Sequence, residues 1–142
     1  AMYKDMKLRA AMKQPVRTWG GREYYCEEPK LIQGRIRQFD YKLVNVLIQG
    51  SAADCTKEAI IRLDDEMTEL GKQDVWFLIL NVHDQLTESV PIQDRDHAME
   101  VLKSCMQSVE FEVPMLSEGS VSLTNWAELK DYDNKGVRTW VD

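Results

Sequence analysis

Three short stretches of this sequence carry residue types suited to chemistry. The first is His83-Asp84, which follows the continuous apolar run Val75-Trp76-Phe77-Leu78-Ile79-Leu80 and precedes Leu86 to Val90. A strand that ends in a tight turn would hold the Asp84 carboxylate rigidly, as a hard, oxygen-seeking cation such as Mg²⁺ requires. One carboxylate is not a complete metal site, and Asp also suits ordinary turns. The second stretch is Asn45-Val46-Leu47-Ile48-Gln49-Gly50-Ser51-Ala52-Ala53-Asp54. Asn45 and Gln49 are four apart and share one helix face. Amide donors there could reach the acceptors that every base pair presents in the minor groove. They could equally be surface amides beside a small-residue packing site. The third is Thr18-Trp19-Gly20-Gly21-Arg22. An arginine after a glycine turn can hold a phosphate, although an ordinary hairpin has the same look.

Elements must position these residues. Tyr3 to Gln14 is a helix candidate stopped by Pro15. Val16–Trp19 and Arg22–Tyr25 read as a hairpin about Gly20-Gly21, a pair that suits a type I′ turn. Cys26 to Leu31 reads as loop, and Arg35 to Leu47 as helical or partly so. Ser51 to Leu70 is the clearest helix. Ser51 and Asp54 have capping-box spacing, Cys55, Ala59, Leu63, Met67 and Leu70 form an apolar stripe, and Gly71 supplies a left-handed stop. Val75 to Leu80 suits a strand covered on both faces. Leu86 to Val90 then pairs with it, with His83 and Asp84 at or beside the tip. Asp94 caps a helix bearing Ala98, Val101, Leu102, Cys105, Met106 and Val109 on one face. Pro114 to Asn125 reads as a last strand, and the polar residues from Asp131 onward as loosely held. The order predicts an α+β fold, an antiparallel sheet with a His-Asp hairpin backed by helices.

The bulk numbers bound this reading. The chain has 142 residues, 44% of them hydrophobic, which suits one globular unit. It has no apolar run of about 18 residues, so no membrane span is expected. Cys26, Cys55 and Cys105 are far apart and odd in number, which argues against a zinc site or a disulfide framework. Reduced thiols in a cytoplasmic setting fit best. The net charge of −6 is unevenly spread. Residues 1–43 hold ten Lys/Arg against five Asp/Glu, and residues 44–142 hold eight against nineteen. A basic front could face phosphates, though solvated charge is the plainer reading.

Taken together and in order, the three stretches resemble a known family. Thr18-x-x-Gly21-Arg22, then Asn45-x-x-Ile48-Gln49-Gly50-x-Ala52-Ala53-Asp54-x-x-Lys57, then Val82-His83-Asp84 is similar to the second half of the family A DNA polymerase domain. Val113-Pro114-Met115-Leu116 and Asn125-Trp126 look like that family's C-terminal end, so the resemblance spans roughly residues 15–126. Asp40-Tyr41-Lys42-Leu43 looks most like the phage-type branch. The resemblance implies one partial domain over 1–142, the C-terminal part of a polymerase palm with the tail end of the fingers at its N-terminus. Asp84 would be one of two aspartates holding catalytic Mg²⁺ ions, and His83 would contact the primer terminus. Asn45 and Gln49 would touch the duplex minor groove, and Arg22 the nucleic-acid backbone. The partners implied are primer-template DNA and dNTP.

Two positions depart from the family. Gln85 stands where Glu usually follows the aspartate, and an amide cannot supply the carboxylate's charge. Tyr41 stands where Arg is frequent, with Arg37 and Lys42 as nearby cations. The first catalytic aspartate and the nucleotide-binding fingers belong upstream of Thr18, where no segment supplies them. The expectation is a chain that does not polymerise DNA alone and works with an upstream polymerase segment in cis or in trans, with self-association as a further expectation. The competing readings are a non-catalytic nucleic-acid- or protein-binding remnant, and a metal-dependent hydrolase using His83, Asp84 and His97.

Overall fold

In the computed structural model the structure describes residues 2–132. The chain forms two compact units that divide after Lys57. In the first unit, α1 (Met2–Ala11) is followed by two hairpins, β1 (Val16–Arg17) with β2 (Glu23–Tyr24) and β3 (Lys30–Ile32) with β4 (Arg35–Arg37). Helix α2 (Tyr41–Glu69) begins in this unit and runs on into the second. Met6, Val16 and Leu43 form the first core, with Ala10, Tyr24, Cys26, Val44 and Leu47 against it.

Two expectations change here. Residues 26–31 are not all loop, and Arg35–Arg37 is strand rather than helix. The type I′ turn lies in this second hairpin. Gln33 and Gly34 have φ of +51° and +73°, the two positive angles that such a turn needs. In the first hairpin only Gly21 is left-handed, at +83°, and the Gly21 amide donates to the Thr18 carbonyl at 2.9 Å. Gly20 is needed for a different reason. A Cβ there would sit 2.7 Å from the Asp54 carboxyl carbon.

Helix α2 is one element of 29 residues, not two. Ser51 and Asp54 therefore do not cap anything. Their side chains turn outward from mid-helix to the β1–β2 loop, and that tertiary grip carries the helix through Gly50. The end of α2 matches expectation. Gly71 has φ of +64°, Lys72 N–H donates to the Met67 carbonyl at 2.7 Å, and Gly71 N–H to Thr68 at 3.0 Å. This is the Schellman pattern.

The second unit is built on Leu63, Met67, Trp76, Ala98 and Cys105, joined by Leu78, Val90, Val101 and Leu102. Trp76 is fully enclosed, at 0% exposure, and precedes the strand rather than belonging to it. β5 (Phe77–Val82) pairs antiparallel with β6 (Gln85–Ser89). A short 3₁₀ turn, Ile92–Asp94, leads into α3 (Arg95–Met106). Asp94 does not cap α3 through its side chain. Its carboxylate accepts from Lys72 Nζ at 2.8 Å and Trp76 Nε1 at 2.9 Å. The bond from Lys72, then that from Trp76, lowers its pKa. Of Pro114–Asn125 only Ser120–Val121 (β7) is strand. It pairs with Lys130–Asp131 (β8), so Asp131 is held in a ladder. The rest of the expected loose tail, residues 133–142, lies outside the described residues.

β5 contains one residue too many. Leu78 opposes Glu88 and Leu80 opposes Thr87, which leaves Ile79 as a bulge. Directly opposed residues share a face, so Leu78 and Asn81 lie on the face of Glu88 and Leu86. Leu80 and Val82 take the other face, with Thr87 and Gln85. The expectation of a strand covered on both faces fails for β5. Phe77, Ile79, Leu80 and Val82 are all exposed, because among the described residues β5 and β6 form a sheet of only two strands. The fold is α+β, with helices and antiparallel strands; among the described residues the strands form four two-stranded ladders.

Candidate functional site

The first unit contains a polar node that fixes the glycine turn to α2. Asp54 is buried at 8% exposure. Its carboxylate accepts from Thr18 Oγ1 at 2.5 Å and from the Gly20 amide at 3.0 Å, and pairs with Arg22 Nη2 at 2.6 Å. Burial alone would raise the Asp54 pKa. The bonds from Thr18, Gly20 and Arg22 outweigh it, and the carboxyl is held below its ordinary value. Ser51 Oγ accepts from the Trp19 amide at 2.9 Å and donates to the Leu47 carbonyl at 2.6 Å. Gly50 lets the loop close, since a Cβ there would meet the Thr18 methyl at 2.7 Å.

Arg22 belongs to this node. Its Nη2 donates to the Gly50 carbonyl at 2.8 Å as well as pairing with Asp54, and Nη1 donates to Tyr24 Oη at 3.0 Å. Nε is buried without a partner among the described residues. The guanidinium that the resemblance assigns to nucleic-acid backbone is thus largely engaged inside the protein. Of its five donors, the buried Nε–H and one Nη1 hydrogen have no partner among the described residues. Thr18, Ser51 and Asp54 were missed as functional positions. The small residues Gly20 and Gly50 were the available signal, because glycine permits the close approach that the node needs.

Asn45 and Gln49 lie one turn apart on α2, and both are exposed. Tyr41 opens the helix and is exposed. Lys42 is held by Glu27 at 2.6 Å, and that bond raises its pKa. Arg37 stands on β4 and is exposed.

The second unit carries the His-Asp turn. Val82 opposes Gln85, so His83 and Asp84 alone make the loop. His83 has φ of +54°, a left-handed value that few residues other than glycine adopt, His among them. A two-residue loop of this kind limits where the Asp84 carboxylate can go. His83, Asp84 and Gln85 are all exposed.

An oxygen donor on a short rigid loop fits Mg²⁺ in kind. Among the described residues no group of three or more His, Cys, Asp or Glu lies close enough to hold an ion. A metal ion at Asp84 would need further ligands from elsewhere. His97 does not join it. Its ring meets Trp76 edge-on with centroids 5.5 Å apart, which removes the basis for the hydrolase reading.

Glu88 was not anticipated. It lies on the inward face of β6 beside Leu86, and its Oε1 is buried without a partner among the described residues. Burial pushes its pKa up to about 7. Arg22, Asn45 and Gln49 belong to the first unit, and His83, Asp84 and Gln85 to the second.

An α+β chain with these motifs in this order has counterparts. The model of DNA polymerase family A matches residues 1–128, and the chain belongs to that family. It is 34% identical over 132 residues to DNA polymerase I of Rhizobium leguminosarum, covering 87% of this chain and 13% of that one. It is 32% identical over 117 residues to DNA polymerase I of Caldicellulosiruptor bescii, covering 81% and 13%. DNA polymerase theta of Caenorhabditis elegans is 28% identical over 129 residues, covering 89% and 8%. The chain thus spans 13% or less of the length of these relatives. Among solved structures, the POL domain of Pol1 from M. smegmatis, in complex with DNA primer-template and dNTP, superposes with a TM-score of 0.66 at 27% identity. The match covers 80% of this chain and 20% of that one. No helix among the described residues is long and apolar enough to cross a membrane.

Proposed function

We propose that this chain supplies part of the palm of a DNA-directed DNA polymerase, with Asp84 as one of the two carboxylates that bind the catalytic metal ions. The observation that carries the reading is the two-residue His83-Asp84 turn, which offers an exposed carboxylate from a paired strand in a family A chain. Bound Mg²⁺ would supply activation of a primer 3′-hydroxyl and charge neutralisation at the departing pyrophosphate. The protein's share is positional. His83 presents a ring to the primer terminus. Asn45 and Gln49 offer amide donors to minor-groove acceptors, which resemble one another across base pairs and so report geometry rather than sequence. Arg22 acts chiefly as the brace that fixes the helix carrying those amides, with one free donor for a backbone phosphate. Gln85 leaves the turn with one negative charge fewer than the family's usual pair, which predicts weaker metal binding.

Two-metal transfer needs a second carboxylate and a triphosphate cradle. We propose that a further polymerase segment supplies them, in cis or in trans, and that primer-template DNA and dNTP are the partners of the assembled whole. The test mixes this chain with a polypeptide carrying the family's other palm carboxylate and its fingers, and follows primer extension. Extension should require both components and Mg²⁺, and Asp84→Asn should lower it at least about a hundredfold (~3 kcal/mol at the transition state). A stable complex with no extension, or full extension by Asp84→Asn, would overturn the reading.

A further inference from the structure

The β3–β4 hairpin is the feature that the polymerase reading leaves unused. It is a ribbon with two unlike faces. Lys30 opposes Arg37, Ile32 opposes Arg35, and Leu31 opposes Ile36. Opposed residues share a face, so Lys30, Arg35, Arg37 and Ile32 lie on one side and Leu31 and Ile36 on the other. All six residues are exposed. Among the described residues Arg35 and Arg37 have no carboxylate partner. Lys30 has only a loose one, Glu27 at 3.8 Å. Five other cations of this unit, Arg9, Lys13, Arg17, Arg22 and Lys42, each have a carboxylate within 3.0 Å. Lys7 has Asp40 only at 4.0 Å, and Lys4 and Lys57 have no carboxylate partner among the described residues, but these three are scattered along the chain. The ribbon gathers three mainly unpaired cations on one face, in a chain of net charge −6.

We propose that this cationic face is a docking surface for the phosphate backbone of duplex DNA, separate from the His-Asp turn and from the Asn45/Gln49 amides. The choice of duplex DNA among polyanions rests on the polymerase reading. The fit rests on geometry and charge. Arg35 and Arg37 are two residues apart on one strand, so their Cα atoms are roughly 6.6 Å apart. That is about the through-space distance between neighbouring phosphates on one DNA strand, which exceeds the axial rise of about 3.4 Å because the strand winds around the axis. Guanidinium forks match phosphate oxygens in pairs, and Lys30 adds a point charge on the neighbouring strand. The tight Gln33-Gly34 turn makes the ribbon protrude as a fixed tip rather than a loose loop. A two-stranded ribbon is also narrow enough to lie at a DNA groove. Contacts of this kind position a duplex without reading its sequence.

The experiment is fluorescence anisotropy of this chain with a short fluorescein-labelled DNA duplex over a NaCl series. A single strand of equal length is run in parallel. Binding to the duplex should weaken linearly in log-log form as salt rises, because phosphate contacts release counterions. The double variant Arg35→Gln/Arg37→Gln should lose affinity at low salt and show a slope smaller by about 2. Ile36→Thr, on the opposite face, should change neither. Circular dichroism checks that each variant is folded. No binding by the unaltered chain overturns the proposal, as does an unchanged slope in the double variant. Single-strand binding as tight as duplex binding overturns the choice of duplex. An effect of Ile36→Thr equal to that of the double variant would instead mark the ribbon as an apolar protein contact. Failure of the polymerase reading appears separately, in the response of primer extension to Asp84→Asn.

Discussion

Asp54 and Glu88 are two carboxylates with opposite fates, and the difference lies in their donors. Asp54 is buried but receives a hydroxyl, an amide and a guanidinium, so its charged form is the favoured one. Its folded pKa lies below the ordinary value. Its contribution is therefore present at neutral pH and is lost as pH falls through that depressed folded value. Asp54→Asn keeps the shape and removes the charge facing Arg22, whose Nε already lacks a partner. The expected loss is about 2 kcal/mol, measured by urea denaturation at pH 7.

Glu88 Oε1 receives no donor among the described residues. The neighbours that share its surroundings are Cys105, whose thiol burial pushes up to about 11, with Glu66 and Arg62 near that thiol. With a folded pKa of about 7 against an ordinary 4.5, Glu88 favours the folded state only while protonated. Below about pH 4.5 it costs nothing. Stability then falls as pH rises to about 7 and is flat beyond. Glu88→Gln should remove that slope and be more stable than the parent at pH 8, by something of the order of 2 kcal/mol. The two proteins should converge near pH 4.5. Urea midpoints measured across this range check the prediction, and parallel pH curves would sink it.

At the scale of elements, what was legible was whatever follows from local backbone chemistry. Gly71 as a left-handed stop needs only a stripe before it and a glycine after it. The β5–β6 hairpin needs only two strand-like runs about a short polar link. The continuity of α2 was not legible. Gly50-Ser51 reads as a break followed by a cap, and the forces that carry the helix through it come from Thr18, Trp19 and Arg22, about thirty residues away in sequence. Gly50→Ala tests that account. Alanine has the better intrinsic helix propensity, by about 1 kcal/mol, yet its methyl would strike Thr18. Net destabilisation of about 1–3 kcal/mol is expected. Partial recovery should follow in Gly50→Ala/Thr18→Ser, which removes the clashing methyl and keeps the hydroxyl. The β3–β4 ribbon escaped notice for another reason. Alternation signals a strand only when one face is buried, and this ribbon buries neither.

For the whole molecule, the hydrophobic run 75–80 suggests an enclosed strand, because sequence reports apolarity and not what covers it. Trp76 is enclosed. Phe77 and Ile79 are 53% and 59% exposed, and Leu80 and Val82 extend the same apolar surface along β5. Contiguous apolar surface seeks partners. Concentration-dependent association is expected in sedimentation velocity, and Phe77→Ser/Val82→Thr should shift it toward monomer. A monodisperse parent chain across the concentration series would remove the basis for this expectation. The order of the family's motifs was legible from the sequence, and the family match agrees with it. The internal use of Arg22 was not, because nothing local reveals that Asp54 and Gly50 lie opposite it.

The bulge at Ile79 gives β5 a tolerance that strands seldom have. Losing one residue ordinarily throws every later side chain onto the wrong face. Here Ile79 stands outside the count. Without it, Leu78 would still oppose Glu88 and Leu80 would still oppose Thr87. Each inward side chain would keep its place, and only the local bend would go. Deleting Ile79 should therefore leave the thermal transition nearly where it was, while changing the direction in which the strand delivers Asp84. The orientation of the proposed metal-binding arm becomes adjustable by length, from a position five residues before Asp84, with His83 and Asp84 left as they are.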